Sequence, residues 1–196
     1  MNNIDVNGDS IWYTRNGDIV TMYVTAKIFN NSSDNINMAR AAKDIVSDIK
    51  STYEGKFEWS DNKTYNLKVD MDLKVATSMK DVENSDHLFV LADSDSKGAR
   101  GATSMLGGKV MTLASSDFAN NNWLSNNLSY NKTFTAAHEF GHAIGLSHSQ
   151  NPFNIMKQGG VVHNSNSNQR VIMLQQQNNL NNNLVVDIYN LGLKWR

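Results

Sequence analysis

Residues 136–148 read AAHEFGHAIGLSH and contain three of the five histidines in the 196-residue chain. His138 and His142 are four residues apart, so on a helix they project from one face, one turn from each other. Two imidazoles in that arrangement can bind one Zn²⁺ at about 2.0–2.1 Å each. Glu139 follows about 100° further round the helix, within reach of a water beside the ion without being a ligand. The spacing therefore predicts a helix at about residues 133–146 that carries a zinc site.

A catalytic zinc needs a third protein ligand and one open position. His148 supplies that ligand if the chain turns sharply after His142. Gly145 lies midway, where a residue with positive φ can end the helix and swing the chain back. The remaining position is then left for water, whose pKa zinc lowers towards about 7. We therefore expect Glu139 to accept a proton from this water as the general base and to pass it to a leaving amine.

The chain before this motif contains the signals of strands and of one further helix. Alternating apolar and polar residues predict half-buried strands at residues 18–30 and 65–77. Apolar residues at helical spacing predict a helix at residues 35–53, which Gly55 is expected to stop. The compact apolar run at residues 87–92 suits a strand that is buried on both faces.

Beyond these elements the pattern is weaker but still informative. It predicts a short strand at residues 109–113, then a loop at residues 115–131 anchored by Trp123 and Leu124, and a late helix near residues 168–180. Strands, one helix, more strands and then helices favour an α+β fold with a mostly consecutive sheet.

Composition narrows the class of protein. Forty per cent of the residues are hydrophobic, which is enough for a core, and the chain has no cysteine. The missing cysteines exclude cysteine nucleophiles, thiolate zinc sites and disulfides, and they leave the compartment open. Eighteen basic and 19 acidic residues give a net charge of -1, which argues against a nucleic-acid partner.

Membrane and targeting signals are also lacking in the sequence. No apolar stretch approaches the roughly 20 residues of a membrane helix, so no membrane partner is expected. The first ten residues are polar and have no apolar signal-peptide core. Since a bare endopeptidase endangers its own cytoplasm, we expect the protein to be secreted or delivered outside the producing cell, as part of something larger.

The motif resembles that of the metzincin clan of zinc peptidases, whose signature is His-Glu-x-x-His-x-x-Gly-x-x-His followed by a Met-turn. Residues 136–149 are most similar to the matrixin branch, in which Phe140, Gly141, Leu146 and Ser149 are familiar. The following NIM segment resembles the Met-turn and makes Met156 the residue expected beneath the metal. A looser likeness is to the Asn-rich, cysteine-free toxin modules of large bacterial secreted proteins.

This resemblance implies a metzincin-like (zincin) α+β fold, with a twisted mixed sheet, an active-site helix and a smaller C-terminal lobe. Residues 1–196 would form a single catalytic domain, with an upper lobe at about 10–148 and a lower lobe at 149–196. A peptide or protein substrate would pair as an extended strand with an edge strand within residues 101–106, and residues 157–162 would wall the specificity pocket. The protein is expected to be a monomer.

The sequence also departs from the matrixin pattern. Many matrixins hold a second, structural zinc with upstream histidines, but here only His87 lies upstream, so we expect one zinc and a strand or turn role for His87. Asp93 and Asp95 could bind Ca²⁺, although a solvated loop is the simpler interpretation. Lys157 follows the Met-turn where other metzincin branches place a tyrosine, and His163 is interpreted as a loop residue.

Three alternatives compete with a zinc-dependent endopeptidase. A zinc amidase acting on cell-wall peptides would use the same chemistry, because both enzymes attack an amide. A non-catalytic peptide-binding module on a peptidase fold is disfavoured by the intact Glu139 and histidines. A structural zinc domain is disfavoured because such sites are usually closed four-ligand cages, commonly with cysteine.

Overall fold

The computed structural model of the chain describes residues 11–59, 62–93, 101–119, 129–151 and 154–158. Within these ranges one seven-stranded sheet packs against two helices. The strands are β1 (Ile11–Asn16), β2 (Ile19–Asn30), β3 (Gly55–Glu58), β4 (Thr64–Val75), β5 (His87–Ala92), β6 (Gly101–Thr103) and β7 (Val110–Ala114). The helices are α1 (Met38–Tyr53) and α2 (Ser129–Ala143), with short 3-10 helices at Met79–Asp81 and Ser115–Asp117.

The sheet is mixed, and its strand order is β3-β4-β2-β5-β7-β6. Its centre is parallel, because β4, β2, β5 and β7 pair in that sense. Both ends of this order are antiparallel, with β3 paired to β4 and β6 paired to β7. The remaining strand, β1, forms a hairpin with β2 that closes from Asn16 to Ile19, with Gly17 at a φ of 62° in the turn. The architecture is α+β, as the sequence predicted.

The core lies between the sheet and the two helices. Alternate residues of β2, from Val20 to Ile28, are buried on one face, as a period of two requires. Helix α1 covers this face with Ile45, Ile49 and Tyr53, each of which is essentially inaccessible to solvent. Burial of one such side chain stabilises the fold by about 1.5–3 kcal/mol. The helix begins at Met38 because the Asn37 side chain accepts a hydrogen bond from the backbone N–H of Arg40 at 3.0 Å.

Strand β5 is buried on both faces, which confirms the interpretation of its uninterrupted apolar run. Phe89 and Leu91 face the main core, whereas Leu88 and Val90 belong to a second cluster with Val110 of β7. The second cluster is covered in part by Met79 and Val82 from the connection between β4 and β5. Apolar side chains therefore pack on both faces of the sheet at its centre. This region adjoins β7, which contacts α2.

Most predicted elements are confirmed, with several boundaries corrected. The loop predicted to continue to residue 131 is wrong at its end, because α2 begins at Ser129. Helix α1 starts at Met38, three residues later than predicted, because Asn37 caps it. Strands β1 and β3 were not predicted, and Gly55, expected to stop α1, is the first residue of β3 with a φ of 141°. Among the described residues, neither α1 nor α2 has the length and apolar character needed to cross a membrane.

Several predictions fall on residues outside the described ranges. They are the loop anchors Trp123 and Leu124, Asp95 of the calcium prediction, His163, residues 159–162 of the predicted pocket wall, the predicted helix at residues 168–180, and most of the predicted lower lobe.

Candidate metal centre

Helix α2 ends in a backbone arrangement that redirects the chain towards its own histidines. The N–H of Leu146 bonds to the carbonyl of Gly141 at 2.8 Å, and the N–H of Gly145 bonds to the carbonyl of His142 at 3.0 Å. This pair of bonds is the Schellman motif, which needs a residue in the left-handed conformation at the position of Gly145. Gly145 has a φ of 91°. Gly145 therefore lies in the turn that ends α2, the position that the sequence predicted for it.

The three histidines of the motif converge where α2 ends. His138, His142 and His148 each offer one ring nitrogen, and these three atoms lie within 4.8 Å of one another. The Nε2 atoms of His142 and His148 are 3.1 Å apart. In the part of the chain that the structure describes, this is the only group of at least three His, Asp or Glu side chains close enough to share an ion.

Backbone carbonyls orient two of the three rings. The Nδ1 of His138 lies 2.7 Å from the carbonyl oxygen of Ile155, and the Nδ1 of His142 lies 2.7 Å from that of Leu146. A carbonyl only accepts, so each Nδ1 carries the proton and donates it. Each Nε2 is then left with a free lone pair, which is the form that binds a metal.

Electrostatics keeps these rings neutral near pH 7. Burial lowers the pKa of His138 below its ordinary value, and the hydrogen bond to Ile155 opposes the shift only in part. Burial likewise lowers the pKa of His142, to about 4, and the neighbouring charges of His138 and His148 add to the shift. A neutral imidazole is required for coordination.

Glu139 projects beside the histidines and against the edge strand. It is 6% exposed. The hydroxyl of Thr103 on β6 donates to its Oε2 at 2.7 Å, and the same Oγ1 lies 3.0 Å from the main-chain oxygen of Glu139. A β-carbon added to Gly101, two residues earlier on β6, would stand 2.9 Å from both Cγ and Oε1 of Glu139. The carboxylate therefore fits only because position 101 has no side chain.

The burial of Glu139 also changes its acidity. Desolvation raises the pKa of this carboxyl to about 7, although the hydrogen bond from Thr103 and the charge of His148 act in the opposite direction. A carboxylate with a pKa near the working pH can accept a proton and release it again.

Met156, predicted to lie beneath the metal, packs against Gly141 of α2. It is fully buried, and its N–H donates to the Oδ1 of Asn154 at 2.8 Å. Its carbonyl accepts from the N–H of Ser149 at 2.8 Å, which ties the turn to the chain that follows His148. A β-carbon at Gly141 would clash with the Met156 sulfur and lie 2.6 Å from the Tyr53 hydroxyl.

Residues that sequence reasoning did not select also support the site. The Tyr53 hydroxyl donates to the carbonyl of Ala137 at 2.7 Å, which joins α1 to the helix that carries the histidines. Thr103 donates a hydrogen bond to Glu139, and Gly101 leaves space for the Glu139 side chain, although only their edge-strand position was predicted. The one signal available was alternation, which places positions 101 and 103 on the same side of a strand.

The other candidate residues lie elsewhere. His87 begins β5 and is 1% exposed, so it is a strand residue, and it is absent from the histidine group. Asp93 accepts from the N–H of Ser33 at 3.3 Å, and calcium binding there stays an open prediction. Lys157 follows the Met-turn and is half-buried, and its N–H bonds to the carbonyl of Asn154 at 2.9 Å.

The donor set fits zinc. Nitrogen ligands at about 2.0–2.1 Å in a tetrahedral arrangement are separated by about 3.3 Å from one another, close to the 3.1 Å between His142 and His148. Three imidazoles, with no fourth ligand beside them among the described residues, are the composition of an open, catalytic site rather than a closed structural one. Helix-borne histidines with an adjacent glutamate are the arrangement of zinc metallopeptidases of the His-Glu-x-x-His class.

Comparison with known proteins agrees with this class. The family model described as Matrixin matches residues 20–179, which is most of the chain. The chain therefore belongs to the matrixin family of zinc metallopeptidases.

Similar solved structures are more distant. Archaemetzincin from Methanopyrus kandleri is 14% identical, with 79% of this chain and 96% of that chain covered and a TM-score of 0.47. Metalloproteinase-II from Bacteroides fragilis is 15% identical, with 77% and 52% covered and a TM-score of 0.43. No match was found among curated protein sequences. The family assignment is accordingly based on the matrixin match.

Proposed function

We propose that this protein is a zinc-dependent endopeptidase in which His138, His142 and His148 hold the ion and Glu139 is the general base. The observation that carries the proposal is the convergence of three imidazoles within 4.8 Å beside a buried carboxylate that follows the first of them in sequence. When bound, zinc supplies a Lewis acid that polarises a scissile carbonyl and makes water acidic near neutral pH.

The side chains of the chain itself perform the remaining steps. His138 and His142 present Nε2 lone pairs because their Nδ1 protons are donated to the carbonyls of Ile155 and Leu146. The carboxylate of Glu139 accepts a proton from the attacking water and delivers it to the nitrogen of the leaving amine. Burial of this carboxyl raises its pKa above the ordinary value, which favours its acting both as acceptor and as donor of the proton.

Strand β6 is proposed to bind the substrate. It is the last strand in the sheet order. Its residue Thr103 donates a hydrogen bond to Glu139, and a β-carbon at Gly101 would crowd the same side chain. An extended peptide that pairs with β6 would run past the histidine group, with the main chain supplying affinity that tolerates many sequences. Pairing through the main chain does not require a free chain end, which favours cleavage within a protein over trimming at its ends.

The test combines metal analysis with one substitution. Purified protein should contain about one zinc per chain, and removal of zinc by a chelator should abolish cleavage of unfolded casein. Glu139→Gln should keep the zinc but lower the rate of cleavage by about 10²–10⁴-fold, the usual share of a general base. Glu83→Gln, an exposed carboxylate in the connection before β5, is the matched control and should be fully active.

Each outcome has a clear meaning. Unchanged hydrolysis by Glu139→Gln with zinc bound would show that another group is the base. A zinc-loaded protein that spares casein but cleaves cell-wall peptides would establish the amidase alternative. Zinc binding without cleavage of either substrate would establish the peptide-binding module.

A further inference from the structure

The carboxylate of Glu139 is held from the side by two residues of one strand. Gly101 and Thr103 are two positions apart on β6, so both face α2, whereas Ala102 between them is exposed. Thr103 donates a hydrogen bond to Oε2 of Glu139 at 2.7 Å. At Gly101 the absence of a β-carbon leaves room for Cγ and Oε1 of Glu139. The strand therefore fixes both the position and the rotation of the carboxylate.

Two properties of Thr103 make it a stiff support. Its side chain is β-branched, which restricts rotation about χ1. Its Oγ1 also lies 3.0 Å from the main-chain oxygen of Glu139, so its single proton is shared between two acceptors that belong to the same residue. Glutamate itself has several rotatable bonds, and ordering such a side chain costs conformational entropy. The hydrogen bond from Thr103 already restricts the Glu139 side chain in the absence of substrate.

We propose that Thr103 is a positioning residue for Glu139, which holds the carboxylate in the orientation needed for proton transfer. This inference depends on the proposed role of Glu139 as general base. Proton transfer requires heavy atoms within about 2.6–3.2 Å, and a displacement of about 1 Å in an active site can cost about 10²-fold in rate. If substrate pairs with β6, the same three-residue strand sets both the register of the peptide and the direction of the base.

The experiment compares the hydroxyl with the shape of the side chain. Thr103→Val keeps the branched shape and removes the donor, and Thr103→Ser keeps the donor. With fluorescein-labelled casein and zinc-loaded protein, Thr103→Val should lower kcat by about 10–100-fold while KM and zinc affinity stay within about twofold. Thr103→Ser should restore kcat to within about threefold of the original. A purely structural role would not produce this split between kcat and KM or the rescue by serine.

Thr112→Val is the matched control. Thr112 lies on the neighbouring strand β7, paired with Ala102, and its Oγ1 is buried without a hydrogen-bond partner among the described residues. The substitution is chemically the same and is not expected to change kcat.

Glu139→Gln separates failure of this inference from failure of the proposed function. If Glu139→Gln is inactive and Thr103→Val has a normal kcat, or if Thr103→Ser is as impaired as Thr103→Val, the positioning role is overturned. If Glu139→Gln is active, the assignment of the base is wrong whatever Thr103 does.

A double substitution and a second variant cover the remaining outcomes. Adding Thr103→Val to Glu139→Gln should cause no further loss of kcat, since the two side chains act as one unit; an additive loss would overturn the inference. Should Thr103→Val not fold, Thr103→Ala takes its place. Failure of both to fold, with Thr103→Ser and Thr112→Val folded, would mean that the hydroxyl serves stability alone, which also overturns the inference.

Discussion

His87 at the start of β5 and the histidine group at the end of α2 place the same side chain in opposite settings. His87 is 1% exposed, and burial together with the charge of Lys109 lowers its pKa to about 3. His138 and His142 are also kept neutral by burial, but they are only half-buried and His148 is exposed. A neutral imidazole near pH 7 is thus common to His87 and to these two histidines. The histidine group differs from His87 because its ring nitrogens converge on one point and lie where an ion from solvent can reach them.

The largest expected difference between the two regions is in metal affinity. His142→Ala removes a proposed ligand, so zinc affinity should fall by more than the roughly 10–100-fold that loss of an outer-shell partner costs. His87→Gln should leave zinc affinity within about threefold. Competition with a chromophoric chelator measures both. Comparable losses in the two variants would mean that His87 and the histidine group are coupled, and the contrast between them would be wrong.

The next prediction concerns acid stability. The unfolded chain protonates His87 near its ordinary pKa of 6.5, whereas the folded protein does so only near 3. The unfolded state therefore binds more protons between these values, and stability contributed by the neutral imidazole is present above pH 6.5 and lost as pH falls. At pH 5 the loss amounts to about 2 kcal/mol.

His87→Gln removes this titration. Urea denaturation at pH 7.5 and pH 5 should therefore show a smaller drop in the free energy of unfolding for His87→Gln than for the original chain. Protonation of the histidine group affects both proteins equally and cancels in the comparison. An identical drop would show that His87 keeps its ordinary pKa in the fold.

Two glycines with positive φ sharpen the contrast between site and scaffold. Gly145 (φ 91°) ends α2 before His148, and Gly17 (φ 62°) turns the hairpin between β1 and β2. Alanine at either position should cost about 1–2 kcal/mol, because the left-handed region is unfavourable for a residue with a β-carbon. Only Gly145→Ala should also weaken zinc binding. Denaturation and chelator competition on both variants test this, and an equal effect on zinc would contradict a special role for Gly145.

The smallest expected effect concerns two buried tyrosines. Tyr53 donates to a carbonyl oxygen of α2 at 2.7 Å, whereas Tyr13 donates to the sulfur of Met22 at 3.1 Å. A hydrogen bond to a carbonyl contributes about 1 kcal/mol, and thioether sulfur is a weak acceptor. Tyr53→Phe should thus destabilise the protein by about 1 kcal/mol, and Tyr13→Phe by less. Denaturation midpoints decide the order, and the reverse order would refute the role of Tyr53 in joining α1 to α2.

The parts of the site that sequence predicted are those fixed by local geometry. His138, His142 and His148 lie within eleven consecutive positions, so the helical period and one glycine turn are sufficient to bring them together. The contact of Thr103 with Glu139 spans 36 positions, and that of Tyr53 with Ala137 spans 84. Contacts at such separations depend on how the strands order in the sheet, which no local spacing encodes.

The fold shows the same division. Strands β2, β4, β5 and β7 were predictable because alternation or apolar runs report the burial of each strand on its own. β3 has only four residues, too few to show an alternation of apolar and polar side chains. It forms a strand because its main chain pairs with β4. The predicted start of α2 is too late, because Ser129, Tyr130 and Asn131 are weak helix formers. They are nevertheless part of the helix, which begins at Ser129.

The slot at Gly141 also constrains how this sequence can diverge. A side chain at position 141 would collide with the Tyr53 hydroxyl and the Met156 sulfur, which belong to two other segments of the chain. A single replacement at 141 therefore requires the side chains at 53 and 156 both to shift or to become smaller. Among related sequences, a residue larger than glycine at position 141 is therefore expected only together with smaller side chains at positions 53 and 156.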